Sequence, residues 1–314
     1  MQIHKINLES KITKNSFYLA IGNFDGIHLG HQEIIKSIVR DANKKNKPSA
    51  ILSFKPHPRQ FFSRELDRYQ IISEENKQSI FKNLGVNHYF CLKFDEILSN
   101  LSAIDFIKMI IVNQLNVEKL MVGYDFRFGK DRKGDTNLLK EYSKVYGFKL
   151  DIINPINNPK TKQPYASTSI REAIRSGQMD EVNILLGRPW SMEGQVIHGD
   201  KKARKMNFPT ANILPHNEIY PLKGVYVVKI NVGDQSFRGI ANFGERPTVD
   251  GKKILLEVHL FDFNKDIYGK HLTVEFLTFI RGEKKFENFD YLVEQINKDV
   301  QIAKDYHLKK INGI

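Results

Sequence analysis

Between residues 17 and 153, short apolar runs alternate with stretches in which apolar residues return every three or four positions. The runs fall near 17–21, 49–54, 86–92, 117–122 and 148–153, and the periodic stretches near 31–45, 74–84, 103–115 and 136–146. An apolar run of that length reads as a buried strand. Spacing such as Ile34, Ile35, Ile38, Val39 and Ala42 reads as a helix. The alternation predicts an α/β domain, a Rossmann-like, mostly parallel sheet with helices on both faces. Ligands of such sheets bind beyond the carboxyl ends of the strands.

After about residue 186 the rhythm changes. Strand-like segments at 225–232 and 235–241 flank Gly233-Asp234, a two-residue hairpin turn, and further strands are expected at 192–198, 254–262 and 271–280. Apolar residues at Leu292, Val293, Ile296, Val300 and Ala303 predict a closing helix over 289–304. Many strands, short turns and one terminal helix suggest a small antiparallel β-barrel. Gly187-Arg188-Pro189 reads as the joint, dividing the chain into residues 1–186 and 187–314.

The length of 314 residues suits two domains, and the hydrophobic fraction of 41% suits ordinary cores. Cys91 is the only cysteine, so an internal disulfide is excluded and a reducing, cytoplasmic location is expected. No run approaches the length of a membrane span, and the first residues lack the apolar core of a signal peptide. The net charge of +12 is shared by both parts. It fits nucleic acid, small polyphosphates or no specific anion, and does not choose among them.

The most informative segment joins the first run to the first helix: Gly22-Asn23-Phe24-Asp25-Gly26-Ile27-His28-Leu29-Gly30-His31. Glycines and two histidines stand where a helix begins, a place of unpaired backbone N–H groups and positive dipole that suits phosphate. The plainer readings are a helix cap and a metal site, and no ligand set completes the second. Asp125, in Gly123-Tyr-Asp-Phe-Arg-Phe-Gly129 after a strand, either accepts hydrogen bonds from a ribose or purine or lies in an ordinary loop. Ser167-Thr168-Ser-Ile-Arg171 opens a helix to about Gly177; its hydroxyls suit a cap, and Arg171 is poorly placed for the dipole unless an anion faces it. Pro56-His57-Pro58-Arg59 is a stiff turn, either structural or presenting His57 and Arg59 to a ligand.

In the second part, a basic loop from Gly199 through Lys201 ends at Pro209-Thr210-Ala-Asn212. It is either a solvated loop or a phosphate site with Thr210 and Asn212 on Mg²⁺. Glu257 interrupts an apolar strand; by period two it shares a face with His259 and Phe261, opposite Leu256, Val258 and Leu260. It is either solvent-facing or a general base for a hydroxyl.

Taken in order, these motifs, together with Leu-Leu-Gly187-Arg-Pro-Trp, Ala-Asn242-Phe-Gly-Glu-Arg-Pro-Thr and Glu257-Val-His-Leu-Phe-Asp-Phe, make nearly the whole chain resemble the bacterial bifunctional riboflavin kinase/FMN adenylyltransferase (FAD synthetase) family. The resemblance implies that riboflavin is phosphorylated by ATP-Mg²⁺ to FMN, then adenylylated to FAD with release of pyrophosphate. It implies catalytic roles for His28, His31 and Glu257. Nucleotide contacts are expected from Gly22, Asn23, Phe24, Asp25, Gly26 and Gly30, and from Asp125, Ser167, Thr168, Arg171, Gly199 and Lys201. Flavin contacts are expected from His57, Arg59 and Arg281, and Mg²⁺ ligation from Thr210 and Asn212. The expected partners are small molecules, with no nucleic acid and no membrane. Activity in one half only and a basic RNA-binding protein are the rival readings; no RNP-like or KH-like motif supports the second. The chain departs from the family pattern at Ala203 and Asn207, where glycines are common, and at Gly282, where Asp is common.

Overall fold

The computed structural model describes residues 1–12, 15–63, 68–159, 161–197, 210–215, 218–248 and 251–311. Contacts divide the chain into two compact units, residues 1–69 with 74–167, and residues 70–73 with 168–314.

The first unit is built on six parallel strands among the described residues: β1 (Gln2–Ile6), β2 (Phe17–Ile21), β3 (Ser49–Lys55), β4 (His88–Lys93), β5 (Val117–Gly123) and β6 (Lys149–Ile153), in the order β1-β4-β3-β2-β5-β6. Strand β2 is buried at every position, as a central strand covered on both faces should be. Its helices are α1 (Leu29–Lys44), α2 (Pro58–Phe62), α3 (Glu74–Asn83), α4 (Glu96–Ser99), α5 (Ala103–Phe106) and α6 (Thr136–Tyr146). Local chemistry sets their ends. Asp135 caps α6 by accepting from the N–H groups of Asn137 and Leu138, and Gly147 closes it with a left-handed φ of 77°.

Two differences from the sequence pattern have simple causes. The helix expected over 103–115 is α-helical only to Phe106 and then π-helical over Ile107–Gln114, closed by an i→i−5 bond from Leu115 N–H to the Ile110 carbonyl. Strand β1 has no apolar run because it is an edge strand, paired with β4 alone.

His4 Nε2 and His88 Nδ1, on these paired strands, are 3.1 Å apart, and their rings stack. Burial holds both imidazoles below their usual pKa. The same holds for His307 near the C-terminus, again mainly through burial. Folding therefore favours the neutral rings. Their stabilisation is complete above about pH 6.5 and is lost as pH falls through the lower folded-state values. A urea midpoint that drops between pH 7 and pH 5 is the expected result, with a smaller drop in His4→Phe; a midpoint independent of pH over that range would contradict it.

The second unit is a closed antiparallel barrel of β7 (Trp190–Ile197), β8 (Ala211–Ile213), β9 (Gly224–Val232), β10 (Gln235–Thr248), β11 (Gly251–Leu260) and β12 (His271–Gly282), in the order β10-β11-β8-β7-β12-β9. Helices α7 (Ser167–Arg175), α8 (Met179–Leu186) and α9 (Phe289–Ile311) complete the elements. Gly233-Asp234 forms the expected β9–β10 hairpin turn, with Gly233 at φ 59°. Val225, Val227, Ile240, Phe261 and Leu277 pack with Val300 and Ala303 of α9, so the outer barrel face has a core of its own.

Residues 70–73 belong to this unit although both flanks belong to the other. The Ile71 carbonyl accepts from Trp190 Nε1 at 2.7 Å, Ser73 Oγ donates to Glu193 Oε2 at 2.7 Å, and Ile71 and Ile72 are buried. Trp190→Phe keeps an aromatic ring but removes the indole N–H that the Ile71 carbonyl accepts from, and leaves a small cavity where the larger ring was buried. A loss of about 1 kcal/mol from the hydrogen bond, with the cavity adding to it, is expected, read as a lower urea midpoint; an unchanged midpoint would show that the contact contributes nothing.

Candidate functional site

In the first unit, β2 delivers the chain to a tight turn before α1. Phe24 and Ile27 adopt positive φ, 48° and 41°, beside Gly26 at 80°. For a β-branched residue this is a strained conformation that persists only where packing over-determines it, and both side chains are buried. The carbonyls of the turn are held from outside. Ser167 Oγ donates to Asp25 O at 2.9 Å, Gln32 Nε2 to Ile27 O at 3.0 Å, and Lys77 Nζ to Asn23 O at 3.4 Å.

His28 is the N-cap of α1: its Nδ1 accepts from the His31 N–H at 3.2 Å. The cap and the chemical role are therefore compatible, because this bond leaves the His28 proton on Nε2. The His28 and His31 rings stack with centroids 3.7 Å apart. An added Cβ on Gly30 would sit 3.1 Å from Tyr165 Cβ and 3.2 Å from the His28 ring, so glycine gives both side chains room. His31 is half-buried, its buried Nδ1 has no hydrogen-bond partner among the described residues, and desolvation, then His28 and Lys77, hold its pKa well below the usual value. It is a neutral imidazole, suited to hydrogen bonding rather than to carrying charge.

Strand β5 pairs with β2, so exposed Asp125 stands at the same end of the sheet as the turn. Phe126 and Phe128 of its loop stack on each other at 5.4 Å. His57 caps α2 by accepting from Arg59 N–H, its ring lies 5.0 Å from that of Tyr69, and Arg59 Nη1 donates to Tyr69 OH at 3.0 Å. Beyond β3, Phe54, Phe61, Phe62 and Phe94 form an aromatic cluster, with Phe62 70% exposed.

In the second unit, Glu257 of β11 lies opposite Asn212 of β8 on one side and Asn242 of β10 on the other. Directly opposed residues share a face with Cβ atoms about 4.5–5.5 Å apart. Thr210 immediately precedes β8, so Thr210, Asn212 and Glu257 come together. Leu256 and Val258 are fully buried, so the apolar face of β11 turns into the barrel and Glu257 lies on the other face. Asn212 is only 5% exposed, and its Oδ1 has no hydrogen-bond partner among the described residues. Arg281 binds Asp299 of α9 through Nε and Nη2 and donates from Nη1 to the Gly282 carbonyl. It sits where β12 slips register against β9, a bulge of the kind found beside functional sites.

A family profile described as FAD synthetase matches residues 10–168, and one described as riboflavin kinase matches residues 186–307. The bifunctional riboflavin kinase/FMN adenylyltransferase of Haemophilus influenzae is 40% identical over 289 residues, covering 92% of this chain and 93% of that one. That of Escherichia coli strain K12 is 35% identical and covers 97% of each chain. The chain belongs to the bifunctional riboflavin kinase/FMN adenylyltransferase family. A crystal structure of a Streptococcus pneumoniae chain described as a macrolide-efflux protein is also similar, with a TM-score of 0.87, 31% identity, and coverage of 97% and 99%. Among the described residues of the present family member, no helix is long and apolar enough to cross a membrane.

Seen as a member of this family, the chain shows which residues the sequence reading passed over. Lys77, Gln32 and the phenylalanine cluster carried no motif, since a lysine or glutamine on a helix reads as solvated. Gly199, Lys201, Ala203 and Asn207 lie outside the described residues. Thr168 is exposed and Arg171 is 5% exposed; both belong by contact to the second unit.

Proposed function

We infer that this chain makes FMN from riboflavin and ATP, and FAD from FMN and a second ATP, as its family membership indicates. The adenylyltransferase is assigned to residues 1–186 and the kinase to 187–314. The observation that carries this reading is that two distinct chemical sites stand in two units of one chain. One is a histidine-capped, glycine-containing turn at the carboxyl end of a parallel sheet; the other is a carboxylate opposite Asn212, whose Oδ1 has no hydrogen-bond partner among the described residues, on a barrel.

For adenylyl transfer, an FMN phosphate oxygen attacks the α-phosphorus of ATP, and the bond to the β-phosphate oxygen breaks to release pyrophosphate. The nucleophile is already an anion, so no base is required. The turn from Gly22 to Gly26, Gly30 and the start of α1 would receive the ATP phosphates on backbone N–H groups. His28 and His31 would donate to oxygens on which charge develops, while Asp125 and Ser167 would complete the nucleotide contacts within this unit. His57 and Arg59, with the exposed face of Phe62, would hold the flavin ring by stacking and hydrogen bonds.

For phosphorylation, Glu257 takes the proton of the ribityl 5′-hydroxyl as that oxygen attacks the γ-phosphorus of ATP; the bond from the γ-phosphorus to the bridging oxygen breaks and ADP leaves. Thr210 and Asn212 are hard oxygen donors, and the buried Asn212 Oδ1 fits a cation. They would hold Mg²⁺, which when bound neutralises charge on the ATP phosphates. The loop through Gly199 and Lys201 would add positive charge at the same phosphates. Arg281, fixed by Asp299, has further N–H donors to offer a flavin. A cytoplasmic location belongs to the same proposal, on the strength of a single, buried cysteine.

The test is incubation of the full chain with riboflavin and ATP-Mg²⁺, with chromatographic separation of flavins. FMN should accumulate first and FAD follow. No FMN from riboflavin, or no FAD from supplied FMN, would sink the corresponding half.

A further inference from the structure

Of the groups that hold the turn after β2, Lys77 is the least expected. It is 4% exposed, and a buried ammonium is costly unless it is paired and hydrogen-bonded. Its partners are the Asn23 carbonyl, at 3.4 Å, and Glu74 Oε2, one turn earlier on α3, at 3.7 Å. Glu74 is itself held, because its Oε1 accepts from Tyr89 OH at 2.6 Å. Tyr89 OH lies 2.6 Å from Ser53 Oγ. Burial and the neighbouring Glu74 push the Tyr89 pKa up, so the phenol keeps its proton and donates it to the carboxylate. A polar chain thus runs from Ser53 on β3 through Tyr89 on β4 and Glu74 on α3 to Lys77, and ends on the turn that carries the histidines.

We propose that Lys77 is a positioning residue of the adenylyl-transfer site: it holds the Asn23 carbonyl so that the strained turn presents its backbone and both histidines to the ATP phosphates. This rests on the adenylyltransferase reading given above. A residue that only filled space there would need no charge, and methionine would serve. The charge is used a second time. The groups acting on His31 are its stacking partner His28 and Lys77 from α3, with Phe24 at the ring edge and Tyr165 behind His28. Burial, then its neighbours His28 and Lys77, disfavour a proton on His31, so the ring stays neutral as pH falls.

The experiment compares Lys77→Met and Lys77→Arg with the parent full chain, measuring FAD formation from FMN against pH and FMN formation from riboflavin as internal control. Lys77→Met is expected to lower kcat for FAD formation by about ten- to a hundredfold, the scale of a small misplacement at a reacting centre. Its acid limb is expected to move to higher pH, because His31 loses a repelling charge and accepts a proton sooner. Lys77→Arg should restore most of the rate and return the limb. Kinase turnover should stay at the parent value in both. Tyr89→Phe, which keeps Lys77 but releases Glu74, should lose several-fold in kcat and carries the test if Lys77→Met does not fold. An unchanged kcat, or a fall in kcat with an unmoved acid limb and no recovery in Lys77→Arg, would overturn the proposal. If the parent itself makes no FAD, the adenylyltransferase reading fails instead.

Discussion

Alanine at His28 or at His31 is expected to slow FAD formation from FMN by about 10²–10³, the usual loss when one transition-state donor is removed, while FMN formation keeps its parent rate. The two variants should differ in stability. His28 Nδ1 caps α1 through the His31 N–H, so His28→Ala should also lose about 1 kcal/mol. His31 caps nothing, and His31→Ala should melt closer to the parent. His28→Asn separates the contributions: asparagine restores the cap acceptor but cannot place an imidazole N–H, so stability should return without activity. Parent-like FAD synthesis in both alanine variants would reduce the pair to a helix cap. Flavin chromatography on the same samples that give urea midpoints reads every arm.

Glu257→Gln is expected to cripple the kinase by about 10²–10⁴, the range for a lost general base, with FMN-to-FAD conversion intact. Gln keeps the size and hydrogen-bonding shape of Glu opposite Asn212 and Asn242, so the barrel should hold. Kinase turnover within a few-fold of the parent would make Glu257 an ordinary outward strand residue and send the search for the base elsewhere.

Much of this was readable in the sequence because period and turn chemistry act locally. Strand β2, helix α6 and the Gly233-Asp234 hairpin fall where the pattern put them. What escaped depends on long-range pairing. Strand β1 and the three-residue β8 have too few apolar positions to stand out, and they exist because β4 and β11 offer them an edge. The switch to π-helix after Phe106 changes the number of residues per turn while keeping Ile107, Ile110 and Ile111 buried, so the apolar spacing does not betray it. The site divides the same way. His28, His31 and Glu257 stand in local patterns that point to chemistry. The buried ammonium of Lys77 becomes visible only when Asn23, 54 positions earlier, is folded beside it.

The strap at residues 70–73 has a consequence for synthesis. Its carbonyl and hydroxyl partners, Trp190 and Glu193, lie 119 and 120 residues further on. At ordinary elongation speeds a ribosome needs about 6–24 s to cover that distance. During that interval every strand of the first sheet has been made, yet Ile71 and Ile72 have no barrel to cover them. The nascent chain therefore carries a short apolar segment in waiting until the second unit emerges and takes it up.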